Sequence, residues 1–123
     1  RETFKKFAFI SPFAAACALY DADAAQFQKE GEARETFRAL ASEMKALGDR
    51  LGLSPGDSFV EKSMKTVDHF QPDVTASMER DLRAGKPAEI DNLVCEVIRL
   101  CGRLGLEAPA YRRAAEKLCP KTN

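Results

Sequence analysis

Apolar positions recur with the period of an α-helix along most of this chain. Phe37, Leu40, Ala41, Met44 and Leu47 fall at i, i+3, i+4, i+7 and i+10, with Glu35, Arg38, Glu43 and Lys45 on the other faces. One such stripe predicts an amphipathic helix, weakened near its end by Gly48 and Gly52 and stopped by the S-P-G-D run at 54–57. A second helix is predicted from about Ser58, packing Phe59, Val60, Met64 and Val67. It ends before Gln71, because Pro72 disfavours helical backbone in the residue ahead of it. A short helix over about 75–84 should stop at Gly85. After Pro87, the residues Ile90, Leu93, Val94, Val97, Ile98, Cys101 and Leu104 form the widest apolar stripe and predict the central helix. Gly105 ends that helix, and Pro109 is placed to open a last one through Leu118.

The first segment, about 2–19, also reads as helix, interrupted by Pro12. Apolar residues surround it on nearly all faces, so it is either buried in this domain or covered by another. Its run F-A-F-I-S-P-F-A-A-A-C-A-L-Y at 7–20 is too short to cross a bilayer as a helix. Lys5 and Lys6 ahead of that run imitate a signal peptide. The start at Arg1, with no initiator Met, reads instead as a chain cut from something longer. No run alternates with period two, which leaves an all-α fold of about six helices in one domain over 1–123.

Composition narrows the function classes. The 123 residues suit one domain with a real core, and 45% hydrophobic with 31% charged residues is the balance of a soluble globular protein. Lys plus Arg equals Asp plus Glu at 19 each, so no net charge marks a surface for nucleic acid or an anionic membrane. His69 is the single histidine, and no Cys or His cluster has metal-ligand spacing. Cys17, Cys95, Cys101 and Cys119 form no C-x-x-C pair, and free buried thiols of a cytoplasmic protein are expected. The chain contains no G-x-G-x-x-G, P-loop or G-x-S-x-G, so any redox cofactor has its binding fingerprint elsewhere.

Three residues are candidates for chemistry. Lys6 lies among Phe4, Phe7 and Phe9, where an ammonium at an apolar edge becomes a better proton donor near neutrality. The plainer reading is surface charge near a helix start, and spacing alone favours it. Glu89 opens the widest apolar stripe, where a carboxylate suits the helix dipole and would also be rigidly held for positioning a substrate. Ser77 is either an exposed helix residue, part of a cap, or a ligand contact. Asp81 shares its face, and Lys86 can pair with Asp81 or Glu89.

The stretch S-M-E-R-D-L-R-A-G-K-P-A-E-I-D at 77–91, followed by G-L-E-A-P at 105–109, resembles the C-terminal domain of the ketopantoate reductase (2-dehydropantoate 2-reductase) family. The matching positions are Ser77, Met78, Asp81, Gly85, Lys86, Glu89, Ile90, Asp91, Gly105, Leu106 and Pro109. F-K-K-F at 4–7 is similar to the aromatic-x-Lys-[LF] element that opens the domain. The resemblance implies a helical domain of the 6-phosphogluconate dehydrogenase C-terminal-like type. It also implies an absent N-terminal Rossmann domain that binds NADPH, and a 2-keto acid substrate held between the two. Reduction of ketopantoate to pantoate in pantothenate biosynthesis is the implied activity. Lys6 is the implied proton donor to the forming alkoxide, Glu89 the group orienting lysine and substrate, and Ser77 a substrate hydrogen-bond partner. Without its Rossmann half the fragment is expected to be inactive. Phe4 replaces the usual Trp. Ile10 and Ala14 stand four and eight residues after the lysine, where the family places Asn, so polar substrate contacts are missing and a different 2-keto acid is in view. A reading from another class is a non-catalytic helical interaction module or homodimerisation domain, with the apolar first helix covered by a partner.

Overall fold

The structure is a computed structural model that describes residues 2–75 and 94–119. Six helices run through them: α1 (Glu2–Tyr20), α2 (Ala24–Gln28), α3 (Glu32–Arg50), α4 (Phe59–Asp68), α5 (Glu96–Leu104) and α6 (Pro109–Leu118). No strand occurs among the described residues, and the expected all-α class holds. The predicted short helix at 75–84, with Ser77, Asp81, Lys86 and Glu89, lies outside the described residues but for Thr75.

The packing order follows from which helix has the fewest polar faces. In α1, Ala8, Ala14, Ala15, Ala16 and Cys17 have no exposed surface at all. Small side chains on every side let neighbouring helices approach closely, and α3 takes the most extensive contact, with α6 also packed on α1. The middle of the molecule is therefore α1 against α3. The widest apolar stripe was expected to make the central helix, but its described part, α5, packs chiefly against α6. It keeps Arg99, Gly102 and Arg103 exposed, and a helix with a wet face settles at the side.

Pro12 does not interrupt α1, which runs through it. An interior proline removes a backbone donor and costs about 3 kcal/mol or more. Its ring is fully buried, as are the residues from Ser11 to Ala18, and that burial outweighs the lost hydrogen bond. In α3 the stripe behaves as predicted: Phe37, Leu40, Ala41, Met44 and Leu47 are all buried. Gly48 lies in the last turn of α3, and the position needs a glycine because a side chain there would meet Phe4 and Pro55 at 3.0 Å.

A five-residue helix, α2, has no counterpart in the predicted elements, being too short to show a period. It forms because Ala24 and Ala25 donate their N–H groups to the carbonyls of Val74 and Pro72, at 2.8 and 3.0 Å. Phe27 then joins an aromatic cluster with Phe13, Phe37 and Tyr20.

Several helix ends are satisfied by side chains from other helices. Pro109 has no N–H, and Glu43 of α3 accepts from the next two, Ala110 at 2.8 Å and Tyr111 at 2.9 Å. Burial pushes the Glu43 carboxyl above its ordinary range, and the two backbone donors pull against that. At the C-terminal end of α1, Lys117 reaches the carbonyls of Ala18 and Leu19. Gln28 donates to the carbonyls of Val67 and Phe70 beyond α4, and Arg34 to that of Phe27 in α2. Each contact satisfies orphan backbone groups that a helix leaves at its ends, and it also joins two elements. The end of α5 is local: Gly105 adopts the left-handed conformation at φ 71°, and Leu106 N–H returns to the Cys101 carbonyl at 2.9 Å.

The cysteines depart from expectation. Cys17 and Cys101 are buried thiols outside any disulfide, but Cys95 and Cys119 are joined in one with Cα atoms 5.9 Å apart. The turn at 105–108 folds α6 back along α5. That brings the residue preceding α5 beside the residue following α6, 24 positions apart in sequence. Spacing between neighbouring cysteines carries no sign of this.

Two stability measurements follow. Closing a loop of that length stabilises the folded chain by about 3 kcal/mol, so Cys119→Ser should lower the denaturation free energy by that order, as should reduction with a dithiol. Equal midpoints with and without reductant would contradict the staple. Arg34 holds Asp68 with two hydrogen bonds, 2.7 and 3.1 Å, and keeps its carboxyl below the ordinary value of 3.8. That contribution is present above the unfolded pKa and is lost as pH falls through the folded one. Asp68→Asn should therefore cost about 1 kcal/mol or less at pH 7, since the pair is partly solvated. The difference from the wild type should vanish in urea titrations below the ordinary aspartate range.

Candidate functional site

α3 packs against both α1 and α4, whereas α1 and α4 barely touch each other. The gap between them is a cleft of about 380 Å³ lined by Lys6, Phe9, Ile10, Phe59, Lys62, Ser63 and Thr66. This volume is in the range of small-molecule sites, roughly 300–1,000 Å³. The lining comes from two helix faces. Positions 6, 9 and 10 share one side of α1, and positions 59, 62, 63 and 66 share one side of α4, at the spacing of helical neighbours.

The apolar walls are held from behind. Phe9 stacks on Phe13 at 5.8 Å and meets Phe37 and Phe70 edge-on, so its ring is part of the aromatic core as well as of the cleft. Phe59 is 8% exposed, whereas Ile10 is 46% exposed, unusual for a large aliphatic side chain. α4 is itself fixed to α3 by the Arg34–Asp68 pair and to α2 through Gln28.

The polar groups have a common character. Lys6 and Lys62 are exposed and line the cleft, and neither side chain makes an ion pair or hydrogen bond among the described residues. Among the described residues no carboxylate lines it, and the charged groups they bring to it are the two lysines. Ser63 is only 4% exposed and lines the cleft, and it has no hydrogen-bond partner among the described residues. Its hydroxyl is nevertheless not sealed from solvent, since no fully buried side-chain N or O atom lacks a partner there. Thr66 spends its donor on the Lys62 carbonyl at 2.8 Å. The arrangement offers two cations, a free hydroxyl and a hydrocarbon floor, which fits a small organic anion.

Among the residues anticipated from sequence, Lys6 lies in this cleft beside Phe9. Phe4, expected to flank it, packs instead toward Gly48 and Phe7. Ile10 faces the cleft, while Ala14 is sealed in the core with no exposed surface and lines nothing. Ser77 and Glu89 lie outside the described residues. Lys62, Ser63 and Thr66 were not anticipated. Their signal was present in the i, i+3, i+4 and i+7 spacing with Phe59, but the α4 stripe was read only for packing. No group of His, Cys, Asp and Glu among the described residues is placed to hold a metal ion, and no helix there is long and apolar enough to cross a membrane.

The fold has solved relatives. It is similar to a dimeric ketopantoate reductase from Staphylococcus aureus, with TM-score 0.85 and 18% identity over 93% of this chain and 40% of that one. The 2-dehydropantoate 2-reductase of Methylococcus capsulatus has TM-score 0.83 and 20% identity, over 93% of this chain and 36% of its own. A PanE/ApbA family ketopantoate reductase from Ralstonia eutropha JMP134 has TM-score 0.79 and 22% identity, over 92% of this chain and 38% of its own. The chain thus spans well under half the length of these proteins. No curated protein matches it significantly. Residues 1–121 match the family described as Ketopantoate reductase PanE/ApbA C terminal, and the chain belongs to that family.

Proposed function

We propose that this chain is the helical, substrate-binding part of a longer NADPH-dependent reductase that converts a 2-keto acid, ketopantoate or a relative of it, to the 2-hydroxy acid. The observation that carries this reading is Lys6 in an apolar-walled cleft, in a chain that belongs to the ketopantoate reductase C-terminal family. An ammonium at the keto oxygen polarises the carbonyl and stabilises the negative charge that develops on it, then transfers its proton to the alkoxide. Phe9 and Ile10 give the lysine apolar neighbours along the same side of α1. The resemblance gives Glu89 the role of orienting Lys6 and substrate, and Ser77 a hydrogen bond to the substrate.

Reduced nicotinamide supplies a hydride when bound. The chain has no glycine-rich turn from strand to helix to cradle a pyrophosphate, so its own residues do not fit the cofactor. A Rossmann domain N-terminal to Arg1 is the expected holder and the first partner. Homodimerisation is the second, in line with the dimeric S. aureus relative. The cytoplasm, where NADPH is available, is the proposed compartment.

The interaction-module reading rested on an apolar α1 in need of a cover. That cover is internal: α3 and α6 pack on it, and residues from Ser11 to Ala18 are buried within this chain.

The test uses the protein expressed from its whole reading frame. Lys6→Ala should lower 2-keto-acid-dependent NADPH oxidation by about 10²- to 10⁴-fold. Its thermal midpoint should change little, because the side chain is exposed. Glu89→Gln should lower the rate as well, and the 123-residue chain alone should not turn over. Unimpaired turnover in Lys6→Ala, or an upstream frame without a dinucleotide fingerprint, would refute the assignment.

A further inference from the structure

The cleft also carries information about what is reduced. Resting on the reductase reading above, we propose that it selects a 2-keto acid with a hydrocarbon side chain, and that Lys62 anchors the substrate carboxylate.

The argument starts from the polar groups. A 2-keto acid presents two oxygen sites to the protein, a keto oxygen that becomes an alkoxide and a carboxylate with full charge. One cation serves the first, which leaves a second unpaired cation for the second, and the cleft has one on each wall. Lys62 projects from α4 opposite Lys6 on α1, and no described carboxylate neutralises either. Ser63, the next residue, is largely buried and lines the cleft, and its hydroxyl has no partner among the described residues. That hydroxyl reaches the solvent of the cleft, so it is free to donate to a substrate oxygen. Thr66 is one turn further on, and its hydroxyl already donates to the Lys62 carbonyl, which leaves Ser63 as the free donor.

The rest of the lining decides the side chain of the substrate. Phe9, Ile10 and Phe59 offer no hydrogen-bond donor or acceptor from their side chains, and Ile10 leaves nearly half its surface to solvent. Covering an exposed isoleucine with hydrocarbon is favourable, because it removes apolar surface from water. A hydroxyl laid on the same wall would lose water and gain no protein partner there. The cleft therefore discriminates by penalising an extra hydroxyl, and such discrimination by an apolar wall is modest, on the order of 10- to 100-fold.

A matched pair of substrates isolates this. Ketopantoate and its 4-deoxy analogue share the keto acid and the branched carbon skeleton and differ by one hydroxyl. In the full-length protein the deoxy compound should have a kcat/KM at least about 10-fold higher. Lys62→Met should raise KM for both compounds about 10- to 100-fold with a much smaller effect on kcat, as expected for a lost charge-assisted contact. Lys62→Arg should restore most of the affinity. Ile10→Asn should narrow or invert the preference between the two compounds.

Binding of the deoxy analogue by calorimetry is measured alongside turnover, and circular dichroism melting checks that each variant folds. Equal or reversed preference in the wild type, or an unchanged KM in Lys62→Met, overturns the cleft assignment. If Lys6-dependent NADPH oxidation persists in that case, the reductase reading survives without it. Lys62-dependent binding of the deoxy analogue with no NADPH oxidation supports the cleft and removes the reductase reading instead.

Discussion

The constraint on which the structure depends is that α1 has almost no polar face. Its small buried residues must be covered from every direction, and the other helices are placed where they do this. α3 lies along one side, α6 along another, and the phenylalanines of α2, α3 and the segment after α4 close around Phe13. One strip of α1 is left open, bearing Lys6, Phe9 and Ile10, and that strip is the wall of the cleft. The site is thus the residue of incomplete burial: where α1 carries a lysine, covering it with apolar surface would strand a charge.

Long, periodic helices were legible in the residues because their signal is local. The α3 stripe, the start of α4 near Ser58, the left-handed stop at Gly105 and the opening of α6 at Pro109 all follow from neighbours within one or two turns. What was not legible is long-range. Glu43 caps a helix 67 residues away, Lys117 caps one 98 residues away, and Cys95 finds Cys119 only because a turn reverses the chain. Pro12 belongs with these. Its local rule was sound, and tertiary burial overrode it. The position of α5 at the side has the same origin, since width of stripe measures one helix and centrality depends on all of them.

For the site, chemistry could be assigned to Lys6 because a resemblance named its position, while Lys62 and Ser63 carried no such label. Their place in the cleft is visible only when two helix faces are set opposite each other. The pair Ile10 and Ala14 makes the same point in reverse. Both depart from the family pattern, but one forms the cleft wall and the other is sealed in the core. A departure in sequence bears on substrate only where the fold exposes it.

The hydrogen bond between Ser11 and Tyr111, 2.7 Å long and fully buried, joins residues 100 positions apart. Together with the Lys117 and Glu43 contacts it fastens the last helix to the first and third. Such contacts form only after a long loop has closed, and loop closure precedes any reward from the contact. During synthesis, then, α1 leaves the ribosome as an apolar helix whose cover is not yet made. The domain can complete its core only when α6 has emerged, so until then the chain exposes the surface that most invites aggregation.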